Sequence, residues 1–463
     1  MFDSIKFNYD DLFWGLNFNS KHLTKKCVNA MELMSRNYGK SIFNMSGSRS
    51  DAKLIYSMLQ HEKFDKEEIL RAHRLRTVLR IIDLDEPVLL IEDTVNIDYS
   101  SQKQKLGNGY ISSNSKGILL HNCIAVNLKG IVLGVMDQIY YNREEASDTS
   151  LTKEQKKRRP IEEKESYRWI QSFQTSHADM PDYIKTITVC DREGDFYEFI
   201  NEIDSNNRSF LIRIAQNRVT VDNEKIMNAV SKEEVLKTVK ITVPRNSHKN
   251  LPERKANVEI RVKQCDIKRP AHLNKNQELA SSVSAYIIHV KEVDPPAGIE
   301  PIEWFLMTND EINETNVLDY IKYYKQRWLI ERFHYVLKSG CNVEKIQARS
   351  IEVTASIITM YSIIAVLIMN MTYQARVNPD LPCSEYFEDD EWKALYCFAN
   401  KTNKPPDKVY NILEAVKYLS WLGGTKTAPS DGPPGLKTIW KGLENFYMIF
   451  EYSKVFFSKL GQV

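Results

Sequence analysis

The stretch Tyr324-Lys-Gln-Arg327-Trp-Leu-Ile-Glu331-Arg-Phe-His-Tyr-Val-Leu-Lys338 spaces a phenol, a guanidinium, a carboxylate and an ammonium by three, four and seven residues. At about 100° per residue, the four side chains share a helical stripe roughly 60° wide. Leu318, Leu329, Phe333, Val336 and Leu337 gather on the other side, so the spacing predicts a helix that docks an apolar face on a core. Spacing alone leaves two readings open. One is a solvated face laced by ion pairs. The other is a site that handles metal ions and phosphodiesters together, with one carboxylate among cationic and phenolic donors.

Working outward, two apolar runs upstream end in acids: Pro87-Val-Leu-Leu-Ile-Glu-Asp93-Thr94 and Ile187-Thr-Val-Cys-Asp191-Arg-Glu193-Gly-Asp195. They predict buried strands over 88–91 and 184–189. Glu92, Asp98, Glu193 and Asp195 compete with them as ligands. Asp93 and Asp191 are preferred because each directly follows an apolar run, where a sheet would fix it. Taken singly, an Asp at a strand end is as readily a cap or turn residue.

In combination these motifs resemble the bacterial insertion-sequence DDE transposases with a YREK signature, the cut-and-paste group that includes the transposase of the kanamycin-resistance composite transposon. The likeness extends to Leu422-Gly423-Gly424 and Trp440-Lys-Gly442. It implies a triad of Asp93, Asp191 and Glu331 holding Mg²⁺, with Mn²⁺ able to substitute. Tyr324, Arg327 and Lys338 would contact phosphates. Trp304, in Glu303-Trp-Phe-Leu-Met-Thr308, would stack on a base flipped from the end duplex, and Arg213 would lie near the transposon end. A core Trp and a solvated strand Arg are the alternatives for these two. The implied partners are double-stranded DNA at terminal inverted repeats, target DNA, and a second copy of the chain in a synaptic complex. The implied reaction frees a 3′ hydroxyl, closes a hairpin on the flank, reopens it and joins target DNA. A nuclease that cuts without joining, or an inhibitory DNA-binding relative, remains a competing reading.

Composition narrows the class. At 463 residues the chain exceeds one ordinary core, and 42% hydrophobic with 27% charged residues describes a globular protein. The formal charge of +2 says little, but residues 205–277 hold 16 Lys or Arg against 7 Asp or Glu, which leaves the remainder net acidic. Lys153-Glu-Gln-Lys-Lys-Arg-Arg-Pro160 is a second basic cluster. Seven scattered cysteines without Cys-x-x-Cys pairs argue for a reducing compartment and against structural zinc. Histidine spacing offers no metal site, and the N-terminus has no signal-peptide order. These features predict a cytoplasmic protein with no membrane partner, and the resemblance implies a bacterial one, nucleoid-associated when bound to DNA. The apolar stretch 356–373 is short for a span and carries Thr359, Ser362 and Asn370, so it reads as a buried helix.

The expected fold is α/β: a ribonuclease H-like core with a β-rich insertion, flanked by helical domains. Residues 1–72 and 376–463 read as helical domains, 73–204 and 301–375 as two parts of the core, and 205–300 as the basic β-rich insertion. The resemblance implies transposon-end binding for 1–72 and dimerisation for 376–463, whose aromatic-rich end could equally pack within one chain.

Overall fold

The computed structural model describes residues 14–37, 39–46, 48–145, 152, 155, 158–243, 251–273, 278–425 and 433–460. Lys153, Lys156 and Lys157 of the second basic cluster lie outside these residues, as do 244–250 and 274–277 of the basic segment.

The N-terminal part forms α1 (Lys21–Arg36), α2 (Ile42–Met45) and α3 (Arg49–Leu59), capped by the hydroxyls of Ser20, Ser41 and Ser48. The next helix, α4 (Lys66–Leu84), runs straight across residue 72. It packs on the sheet, where His73 Nε2 accepts from the Val135 N–H at 3.1 Å, so the expected boundary there falls inside one element.

Ten strands form one sheet: β1 (Val88–Asp98), β2 (Gly109–Tyr110), β3 (Lys116–Asn127), β4 (Val132–Tyr141), β5 (Thr186–Cys190), β6 (Ser209–Arg213), β7 (Lys237–Val243), β8 (Arg254–Lys268), β9 (Ser282–Val293) and β10 (Glu303–Thr308). The antiparallel run β4, β3, β1 meets β5 parallel to β1, and β6 follows parallel to β5. This is the expected ribonuclease H-like order. The expected insertion boundary at 205 falls before β6, which belongs to this core order; beyond it β10 pairs antiparallel with β6, and β9, β8 and β7 of the insertion follow in turn on the same sheet.

Both faces are covered. Leu89 and Ile91 of β1 face a cluster shared with the later helices, while Val88 and Leu90 face α4 residues Val78 and Ile81. This two-sided burial explains why the strand reads as a continuous apolar run. On the α4 side also lie α5 (Tyr167–His177), α6 (Tyr197–Ser205) and α7 (Ile226–Ser231), which enclose Trp169, Phe199, Phe210 and Ile212.

The motif stretch is not a single regular helix. It comprises α8 (Val317–Gln326), α9 (Trp328–Tyr335) and a π-helical turn over Val336–Gly340. At the junction the Ile330 N–H reaches Arg327 O at 3.2 Å, tightening the turn. Leu329, Phe333, Val336 and Leu337 are buried as expected, but Leu318 is 37% exposed, because Val317, Tyr320, Ile321 and Tyr324 form the buried face of α8 and Leu318 falls on its outer side.

Helix α10 (Ile351–Val377) is capped by Ser350. It is long and apolar enough to cross a membrane, yet 78% of its apolar window is buried inside the protein. Its polar groups are satisfied locally: Thr354, Ser362 and Thr372 donate to carbonyls four residues back, and Asn370 donates to Val132 O at 2.7 Å. The chain ends in α11 (Asp389–Asn400), α12 (Ile412–Leu422) and α13 (Leu436–Leu460).

Candidate active site

Asp93 lies in the middle of β1, where continuous burial stops, and not at the strand's end as the apolar run suggested. The pairing with β3 carries β1 five residues further, which the polar sequence beyond Asp93 conceals. Asp191 directly follows β5 and caps a short 3₁₀ turn, its Oδ1 accepting from the Glu193 N–H at 2.8 Å. Gly194 is required in that turn, since a Cβ there would stand 2.5 Å from Cys190 Sγ. In the parallel β1–β5 register Ile91 stands opposite Val189, so Asp93 and Asp191, each two residues further on, come level with one another where β5 ends.

Alternation along β1 turns Asp93 toward the face covered by α9, which carries Glu331. Arg327 lies between the two acids: its Nη1 is 3.4 Å from Asp93 Oδ2 and its Nη2 donates to Glu331 Oε1. Burial, followed by the negative charge of Asp191, pushes the Asp93 carboxyl up to about 7, against the opposing pull of the Thr94 N–H and Arg327.

The competing acids are engaged elsewhere. Glu92 is fully buried on the opposite face, within 3.3 Å of His121 Nε2. Asp195 is buried against Arg218 and accepts from the Ala215 and Gln216 N–H groups. Asp98 binds the Ser100 N–H at the far end of β1, and Glu193 pairs with Arg168.

Tyr324 is buried, and its ring meets Trp304 edge to face at 6.1 Å. Trp304 is half-buried on β10, and Arg213 closes β6, near enough for its charge to act on the Tyr324 phenol. Lys338 is held apart from the three acids. Its Nζ donates to Asn96 O at 3.0 Å and pairs with Glu344 at 2.9 Å, tying the π-helical turn to β1.

Sequence reasoning passed over two residues beneath the site. Asn122 is the Cα partner of Asp93 across the β1–β3 ladder, and His334 lies one turn beyond Glu331 on α9. Asn122 Nδ2 donates to His334 Nε2 at 3.0 Å, while Gln138 Nε2 donates to Asn122 Oδ1 at 2.7 Å and to Ser362 Oγ at 2.8 Å. Burial pulls His334 down to about 3, so the ring is a neutral acceptor. Its position three residues after Glu331, on the buried side, was the available signal.

Among the described residues, no three acidic, thiol or imidazole groups stand in ready metal-ligand geometry, and the Arg327 guanidinium fills the space between Asp93 and Glu331. The donor set is nevertheless all oxygen, and two of its carboxylates already repel each other, which fits a hard divalent cation once Arg327 moves toward another anion.

Residues 150–367 match the transposase DDE domain, a catalytic domain that works with divalent metal ions, and this span includes Asp191 and Glu331. Asp93 precedes the span and joins it through the β1–β5 pairing. Residues 363–459 match the Tn5 transposase dimerisation domain. A more distant similarity, at 8% identity and a TM-score of 0.35, links 80% of this chain to 74% of a piggyBac transposase chain in a synaptic complex with hairpin DNA. A transposase DDE domain running into a Tn5 transposase dimerisation domain identifies this chain as a DDE-type DNA transposase.

Proposed function

We propose that the chain moves an insertion sequence by cut and paste, with Asp93, Asp191 and Glu331 as its metal-holding triad and Tyr324, Arg327, Glu331 and Lys338 as a YREK signature. The observation that carries this reading is the Arg327 guanidinium shared between Asp93 and Glu331. A cation held by two acids from different elements supports it, because a phosphodiester and metal ions entering there would rearrange the same charges.

Mg²⁺, or Mn²⁺ in its place, would supply an activated water and stabilise the leaving oxygen. The three carboxylates would hold it, Asp93 and Asp191 from the rigid sheet and Glu331 from α9. Arg327 would transfer its hydrogen bonds from the carboxylates to a phosphate, for which its fork geometry is suited. Tyr324 would offer its hydroxyl to another phosphate oxygen, with Arg213 nearby. Lys338 would exchange Glu344 for a backbone phosphate while its link to Asn96 O steadies β1. Trp304, already against Tyr324, would receive a base unstacked by hairpin formation, offsetting that cost by about 1–3 kcal/mol. Two protomers joined through 363–459 would pair the terminal inverted repeats before joining target DNA.

The reading is tested by incubating the protein and Mg²⁺ with duplexes ending in the inverted repeats that flank its gene, plus a supercoiled target. Nicked, hairpinned and target-joined products are expected. Cleavage without joining would reduce the function to that of a nuclease.

A further inference from the structure

Arg168, on α5, lies on the face of the sheet opposite Arg327, and the reading above does not use it. Its side chain is 12% exposed and every edge is engaged. Nε donates to Thr94 Oγ1 at 3.2 Å, Nη2 to Glu193 Oε2 at 3.1 Å, and Nη1 to Glu165 O at 2.7 Å. The guanidinium also stands 5.3 Å from the centre of the Tyr141 ring. The Thr94 hydroxyl is also within 2.9 Å of His121 Nδ1, which holds it from the other side.

The two residues gripped by Arg168 are the ones whose backbones orient the aspartates. The Thr94 N–H donates to Asp93 Oδ1 at 2.7 Å, and the Glu193 N–H donates to Asp191 Oδ1 at 2.8 Å. One rigid guanidinium therefore spans the segments that aim two carboxylates. A lysine ammonium, a compact point donor, cannot reach both acceptors with fixed geometry. We propose that Arg168 is a positioning residue that sets the separation of Asp93 and Asp191, and with it the affinity of the pair for a divalent cation. This rests on those aspartates being the metal-holding pair.

The test measures Mn²⁺ binding to the full chain by electron paramagnetic resonance in the absence of DNA, with thermal melting alongside. R168K is expected to weaken Mn²⁺ binding by about 10–100-fold, the usual cost of losing a group that orients metal ligands. Strand cleavage by R168K should recover at saturating Mn²⁺, a split that a loss of folding would not produce. Should R168K melt early, the partly exposed end of the brace gives the same answer. E193A should weaken Mn²⁺ binding, whereas E193Q, equally uncharged but still an acceptor for Arg168, should bind nearly as the wild type does. Unchanged Mn²⁺ affinity in R168K, or equal losses in E193A and E193Q, overturns the brace. D191N separates the two layers: if it binds Mn²⁺ as well as the wild type, the metal-site reading falls and the brace falls with it, whereas a loss in D191N with none in R168K removes the brace alone.

Discussion

At the scale of single residues, the site is built from charges held near one another at a cost to the metal-free chain. The Asp93 carboxyl has its pKa raised from 3.8 to about 7, so between those values the folded chain retains a proton that the unfolded chain has lost. Stability of the metal-free protein therefore falls as pH rises through that window, and above about 7 the full cost is present. Asp93→Asn should abolish cleavage yet stabilise the metal-free protein at pH 8 by about 1–4 kcal/mol, an effect that vanishes near pH 4 in denaturant titrations. Equal destabilisation at both pH values would contradict the electrostatic account. The same proton competes with a metal, so the Mg²⁺ concentration for half-maximal cleavage should rise as pH falls below about 7. The Asn122–His334 bond predicts a different signature: Asn122→Ala leaves the buried His334 Nε2 without its donor, while Gln138 Nε2 keeps Ser362, and should cost roughly 1–3 kcal/mol in chemical denaturation, with weaker cleavage because β3 and α9 lose their link. The acids were legible in the sequence because burial changes sharply at Asp93 and Asp191. The residues that hold them were not, because Arg168, Asn122 and His334 meet the site only through pairings between strands and helices distant in sequence.

At the scale of elements, strand identity could be read from apolar runs, while helix continuity could not. The Tyr324–Lys338 spacing predicted one stripe, yet a tight turn at Arg327 and a π-helical turn from Val336 redirect it. Arg327 and Glu331 stay beside Asp93, whereas Lys338 is carried to Asn96 and Glu344. Periodicity assumes a constant 100° per residue, and both departures break that assumption. The glycines near the end of the chain have a clear structural reason. A Cβ on Gly442 would sit 1.9 Å from Leu419 O and one on Gly423 would sit 2.3 Å from Thr438 O, so α12 and α13 cross in close backbone contact. Gly442→Ala should force those helices apart and destabilise the protein by about 1–3 kcal/mol, read from denaturant midpoints. A neutral result would show that the crossing tolerates a wider spacing.

At the scale of the whole molecule, the ribonuclease H-like core was foreshadowed by the alternation of strands with the three acids. The merging of the insertion into the same ten-stranded sheet was not, because antiparallel pairing of β10 with β6 leaves no mark in either strand alone. The C-terminal helix leaves Met448, Ile449 and Tyr452 exposed, at 44%, 38% and 74%. Within a dimerisation domain, that face is expected to meet a second copy. Ile449→Asp combined with Tyr452→Ser should convert dimers to monomers in sedimentation, with little change in melting, and should remove paired-end complexes while sparing binding to a single end. Persistence of dimers would direct the interface to another part of α11–α13. The central claim is that acids from β1, β5 and α9 serve one catalytic centre, and single-turnover cleavage of pre-bound transposon-end duplexes by Asp93→Asn, Asp191→Asn and Glu331→Gln tests it most directly. The account predicts that all three variants bind the ends as tightly as the wild type and produce no detectable nick in Mg²⁺ or Mn²⁺. Normal nicking by any one of them would contradict it.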